Sequence, residues 1–286
     1  MTDKPAPSGL GQAAVEMAEY LLVKSYSHRI VENVQQMLQR SLAGSWLENH
    51  PDAVFQICDE LLKNAIKSNY KFLLIWQLTR QRLLETSDAF NEDNVDEWLS
   101  EVFFSGENLL IEKQLDKIHD KSGVNVDVRQ LLDLENQIIQ RDGSIQSGGS
   151  DDAAALPELI VRDELLPLFN IKGLARRLQI YVHFKLDVSS DQVLITVSND
   201  SPILESDVKR IHEIRRKFRR YREEGRQEEF FIESLDTSGG GHGLGYAIMD
   251  SILFDLNLNP ETSLFIISAS RTMVLLALPR SHPSSG

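Results

Sequence analysis

The stretch "ESLDTSGGGHGLGYAIMDSILFDL", residues 233–256, sets Gly239, Gly240 and Gly241 in a row, adds Gly243 and Gly245, and runs straight into an apolar helical pattern. Glycine has no Cβ, so such a run lets backbone N–H groups approach a ligand closely and take positive φ. A helix starting near Leu244 or Gly245 would add unpaired N–H groups and a dipole that favours an anion. Two readings are open: a phosphate-binding loop, or a flexible linker or tight turn. A P-loop would need a Lys and a Ser or Thr where His242, Gly243 and Leu244 stand. A Rossmann fingerprint would follow the first strand of a βαβ unit, whereas this loop follows a charged segment late in the chain.

Working outward, a second pattern lies near the N-terminal end. Pro51 suits a first helical turn, and beyond it Val54, Ile57, Leu61 and Ala65 form an apolar stripe beside the polar Gln56, Glu60, Asn64 and Lys67. In "DELLKNAIKSNY", residues 59–70, Glu60 and Asn64 are four apart and share a helix face. A carboxylate there could polarise water, the amide oxygen could ligate Mg²⁺, and Lys67 could neutralise phosphate. Taken alone, the same stripe also fits a solvated helix face.

The rest of the chain divides by periodicity. Residues 1–9 read as a disordered leader, and 10–47 as an N-terminal helical segment on the spacing of Val15, Ala18, Leu22, Ile30, Val34 and Leu38. A domain over 48–280 follows, with a helical insertion at 70–141 that buries Trp76, Leu83, Trp98, Phe103, Leu110 and Leu131. A Gly/Ser/Asp-rich loop covers 142–156, and residues 281–286 form a tail. The period then changes to two. "QIYVHFKL" alternates Ile180, Val182, Phe184 and Leu186, and "QVLITVS" alternates Val193, Ile195 and Val197; "SLFIISA" and "TMVLLALP" repeat the form across Ser270 and Arg271. Helices, then two hairpins, predict an α+β, two-layer sandwich with helices on one face of a mixed sheet.

Composition narrows the classes. Apolar runs such as "FLLIW" are far too short to cross a bilayer, and "MTDKPAPSG" lacks the apolar centre of a secretory signal. The single Cys58 can form neither an internal disulfide nor a thiolate metal site. These features point to a cytoplasmic protein. A net charge of -13 argues against nucleic acid as a partner. The balance is uneven, because residues 209–226 carry nine Lys or Arg against three Glu.

In that order, "ELLKNAIK" resembles the N box, and "GGHGLGYAI" the glycine-rich G2 box, of the histidine kinase-like ATPase (GHKL) superfamily, which includes gyrase, histidine kinases, MutL and anti-sigma kinases. The resemblance covers residues 50–70 and 178–280 and implies a Bergerat-type ATP-binding fold with Mg²⁺ and ATP as cofactors. It implies that Glu60 acts as base or water positioner and that Asn64 ligates Mg²⁺. Lys67 would face phosphate, and Gly241, His242, Gly243, Leu244 and Gly245 would form the phosphate loop. The family expects a D-x-G-x-G motif at the end of a strand, with its Asp accepting from adenine. Here "VSNDSPIL" puts Asn199 at that place, Asp200 next, and no glycine. Either residue could read the base, or the segment is simply a strand-ending Asx turn.

Residues 204–238 occupy the family's mobile lid, where Arg215, Arg219 or Arg222 could reach a γ-phosphate, dock an acidic partner, or form a solvated face. His28, in "SHRIVENVQQML", could be a phospho-acceptor or an ordinary surface residue. The expectation is a kinase or ATPase acting on a separate partner, whether an acidic regulator, a response regulator or a sigma-type factor. The alternative is a nucleotide-sensing, non-catalytic binding module. An exposed apolar stripe on the first helix would favour a homodimer.

Overall fold

Alternation of buried and more exposed residues along 182–188, 192–199 and 272–279 builds the sheet seen in the computed structural model, which describes residues 16–104, 124, 126–137, 160–237, 244–269 and 271–282. Strands β2 (Val182–Val188) and β3 (Gln192–Asn199) form one hairpin, and β4 (Leu264–Ser268) and β5 (Thr272–Pro279) the other. The register sets Phe184 opposite Val197 and Val197 opposite Val274. One face therefore carries a buried apolar row toward the helices. The strand order is β1-β2-β3-β5-β4 and every pairing is antiparallel, so the expected mixed sheet is corrected. Both hairpins are local, and β3 joins them by pairing antiparallel with β5 from Gln192↔Pro279 to Asn199↔Thr272.

The first strand is a second correction. β1 (Met17–Val23) lies where a helix is expected and pairs with β2 from Met17↔Val188 to Val23↔Val182. The reason is legible in "MAEYLLV": Met17, Glu19, Leu21 and Val23 turn toward the helices, while Ala18, Tyr20 and Leu22 turn outward. That period-two set, with Val15 outside the described residues, overrides the helical spacing. The helix α1 (His28–Leu42) begins only after Ser27, whose Oγ accepts from the Ile30 N–H at 3.4 Å. Residues 17–42 thus belong to the sheet and its covering layer rather than to a separate segment.

The central helix α2 (Pro51–Thr86) is 36 residues long and does not break at residue 70. Its first half buries Val54, Ile57, Leu61 and Ala65 against the sheet. Its second half carries Phe72 and Trp76 onto Phe103 of α3 (Val95–Phe104), edge to face at 5.4 and 5.2 Å. Residues 126–137 (α4) and α5 (Ile160–Leu178) complete this helical layer. There Glu135 accepts from Tyr70 at 3.0 Å and pairs with Lys172 at 2.9 Å. Trp76, Phe103 and Leu131 are buried as expected, Leu83 and Trp98 are only half-buried, and Leu110 and residues 142–156 lie outside the described residues.

After β3 come α6 (Glu205–Glu223) and α7 (Gln227–Thr237), which turn at Gly225 with φ 71°. Next are α8 (Leu244–Asp255) and the short α9 (Pro260–Ser263). Phe218 and Phe230 meet edge to face at 5.2 Å and close a small core with Ala247 of α8. Within the segment assigned to the family's lid, residues 205–237 form this packed helical hairpin. Among the described residues, no helix is long and apolar enough to cross a membrane.

Candidate functional site

Helical spacing of four, three and four sends Glu60, Asn64, Lys67 and Lys71 of α2 to one half-buried edge. The first turn of α8 meets that edge. A Cβ built on Gly245 would fall 1.9 Å from Glu60 Oε1, 2.7 Å from Glu60 Cδ and 3.0 Å from Asn64 Nδ2. A side chain at 245 would therefore push aside the Glu60 carboxylate and the Asn64 amide, the free ends of two flexible side chains. The early polar stripe and the late glycine segment are thus in direct contact across 181 residues of sequence from Asn64 to Gly245.

Asn64 Nδ2 donates to Glu60 Oε1 at 3.2 Å, which leaves the Asn64 carbonyl oxygen as the atom able to ligate a cation. Burial pushes the Glu60 carboxyl above the usual carboxylate range, with Lys63 and the Asn64 hydrogen bond pulling it partly back. That shift moves it toward the range useful to a base near neutral pH. Burial, reinforced by Arg210, lowers the Lys67 pKa, and Glu60 offsets part of this.

Beside this edge lies a hollow of about 100 Å³ between α2, β3, β5, α6 and Tyr246 of α8. Its floor holds Val197, Asn199, Thr272 and Val274, and its rim carries Lys67, Lys71 and Arg210 against one carboxylate, Asp207. Lys71 and Arg210 both reach Asp207, at 2.7 and 2.9 Å. Among the described residues Arg210 Nε is buried without a hydrogen-bond partner, an orphaned donor beside an excess of positive charge. This rim suits an anion.

Asn199 and Asp200 part company. Asn199 is 2 % exposed and faces the hollow, its Nδ2 donating to Ser201 Oγ at 2.8 Å, to Ser201 O at 3.2 Å and to Asn69 Oδ1 at 3.3 Å. Asp200 points to the other side of the sheet, where it lies 2.9 Å from His183 Nε2 and 3.5 Å from Arg271. His183 in turn meets the Tyr20 hydroxyl at 2.5 Å. The structure does not bring Asp200 to the hollow, because adjacent strand residues take opposite faces.

Leu244 is half-buried against the aromatic core of the α6–α7 hairpin, and Gly245 meets Glu60 and Asn64. Gly241, His242 and Gly243 lie outside the described residues. The lid arginines singled out in the sequence are elsewhere. Arg215 is buried on Asp250, Arg219 pairs with Glu261, and Arg222 stacks 4.4 Å over Phe254. His28 starts α1 and faces Glu32 at 3.4 Å.

Lys71 could have been found by extending the 60–64–67 spacing one step. Arg210 could not, because nothing local separates it from eight other cations in its run. Asn69, Ser201 and Thr272 carry no motif of their own. Among the described residues no group of three or more His, Cys, Asp or Glu could hold a metal, so an ion here would depend on Asn64, Glu60 and oxygens of a ligand. Compared with protein-family models, curated proteins and solved structures, the chain matches none of them.

Proposed function

We propose that the chain binds Mg²⁺-ATP in the hollow between α2, α6 and α8, as a cytoplasmic signalling kinase or ATPase of the histidine kinase-like (GHKL) superfamily with a Bergerat-type fold. The carrying observation is the contact of Gly245 with Glu60 and Asn64, which joins two motifs far apart in sequence at one point. The residues fit the group: an amide oxygen on Asn64, a carboxylate on Glu60, and the cations Lys67, Lys71 and Arg210 around an orphaned donor. Asn64 would hold Mg²⁺, which when bound neutralises phosphate charge and orients the terminal phosphoryl group. Lys67 and Arg210 would hold phosphate oxygens, Asn199 would face the base, and Glu60 would take a proton from the attacking oxygen. The described walls enclose less than the roughly 300 Å³ at which ligand pockets begin, so a nucleotide would extend beyond them.

A separate protein partner is the intended phosphate acceptor or the regulated target. Arg216 and Arg220 are exposed on α6 and offer charge to an acidic regulator, response regulator or sigma-type factor. The alternative, nucleotide sensing without turnover, is favoured by the hydrogen bond that holds Glu60 on Asn64. Thermal shift with Mg²⁺-ATP tests the reading. The wild type should be stabilised, whereas Asn64→Ala and Gly245→Ala should lose the shift. Equal shifts in all three, or none in the wild type, would sink it. Turnover of labelled ATP by the wild type and its loss in Glu60→Gln separates catalyst from sensor.

A further inference from the structure

The side-chain amide of Asn199 is held in one orientation by atoms behind the hollow. Ser201 O is a main-chain carbonyl and can only accept; Asn199 Nδ2 lies 3.2 Å from it. Ser201 Oγ gives its single proton to Asn69 Oδ1 at 2.6 Å, so toward Asn199, at 2.8 Å, it too accepts. Asn69 Oδ1 is the third oxygen on the same nitrogen, at 3.3 Å. Turning the amide over would set the Asn199 oxygen against two acceptors without a proton, Ser201 O and Asn69 Oδ1, in a buried place, and each unmade pairing there carries a desolvation cost. Thr272 fixes the Ser201 carbonyl from the far side by donating its hydroxyl at 2.9 Å. All four side chains are at most 5 % exposed.

The same geometry explains why an amide and not a carboxylate stands at 199. A carboxylate would turn an anionic oxygen toward Ser201 O and Asn69 Oδ1, with no hydrogen for either. Asn69 and Ser201 do not line the hollow, whereas Asn199 does. They act through Asn199.

We propose that Asn69 is a positioning residue that keeps the Asn199 carbonyl oxygen turned to the ligand, so that the site selects a nucleotide whose base carries an amino group over one carrying a carbonyl at the same place. This rests on the nucleotide reading above. A 6-aminopurine presents an N–H to Asn199 Oδ1, while a 6-oxopurine sets oxygen against oxygen. A buried acceptor built for a donor rejects the partner that lacks it.

The test is titration of the full chain with ATP, inosine triphosphate and inorganic tripolyphosphate, each with Mg²⁺, on the wild type and on Asn69→Leu, Asn69→Ala and Asn69→Asp. The wild type should favour ATP over inosine triphosphate by roughly tenfold or more. The Leu and Ala variants should narrow that ratio to about threefold or less with tripolyphosphate affinity unchanged. Asn69→Asp keeps an acceptor oxygen for Ser201 and Asn199 and should keep the ratio. Two hydrophobic or truncated variants are included so that one unfolded protein, seen by its melting curve, leaves the other to be read. Equal affinity of the wild type for both nucleotides, or a full ratio retained in the Leu or Ala variant, overturns the proposal. Failure of the folded wild type to bind either nucleotide or tripolyphosphate overturns the nucleotide reading and this inference with it. Binding without base preference overturns this inference alone.

Discussion

Arg210 and Arg215 sit five residues apart on α6, in one basic run, and do different work. Arg215 is 8 % exposed and fully engaged: its Nε and Nη2 reach both oxygens of Asp250 at 2.9 to 3.1 Å, and its remaining donors reach the carbonyls of Leu264 and Pro260. Arg210 has one partner, Asp207, and a buried Nε with none among the described residues. The first is a tie between α6, α8 and the start of β4. The second is a cation with capacity to spare at the rim of a hollow. The lesson is that charge in a sequence states supply, and only the surrounding acceptors state use.

The largest effect should come from breaking the tie. Arg215→Ala strands the Asp250 carboxylate in a site where burial already raises its pKa and Arg215 pulls it back. Loss of one partner of a buried pair costs about 3–5 kcal/mol, to be read as the drop in unfolding free energy by urea denaturation. Arg210→Ala should instead leave stability within about 1 kcal/mol and weaken Mg²⁺-ATP binding by roughly ten- to a hundredfold, as measured by titration calorimetry. If Arg210→Ala destabilised the fold as much as Arg215→Ala, the distinction between the two would be lost.

The smallest effect is electrostatic and changes sign with role. The folded-state pKa of Glu60 lies above its unfolded value, so ionised Glu60 costs stability at every pH above the shifted pKa. The cost fades as pH falls through that pKa and is gone below the unfolded value of about 4.3. Glu60→Gln should therefore raise the melting temperature at neutral pH and lose the advantage in acid. Thermal melts across pH check this, and a Gln variant less stable at pH 7 than the wild type would contradict it. A gain in stability at the expense of activity is expected where a site holds a destabilised charge.

Much of the fold was legible. The alternation of Ile180, Val182, Phe184 and Leu186, and of Val193, Ile195 and Val197, places both strands of the first hairpin because one buried face fixes the register. The stripe of Val54, Ile57, Leu61 and Ala65 likewise fixes which edge of α2 carries Glu60, Asn64 and Lys67. Less legible was β1, whose seven residues fit either period until β2 offered an edge to pair with. The helical insertion expected to begin at residue 70 has no boundary there, because α2 runs on to Thr86. Phe72 and Trp76 keep the helix going because α3 supplies Phe103 as a partner for them.

By itself the sequence determined the periodic elements, the polar edge of α2 and the glycine-rich approach to α8, because each is set by neighbours within a turn or a pleat. Tertiary structure alone decided that Gly245 touches Glu60, that Arg210 rather than Arg215 faces the hollow, and that Asn199 and Asp200 look out on opposite sides of the sheet. Those facts depend on which surfaces meet across long stretches of chain, and no local spacing encodes the partner that arrives from elsewhere.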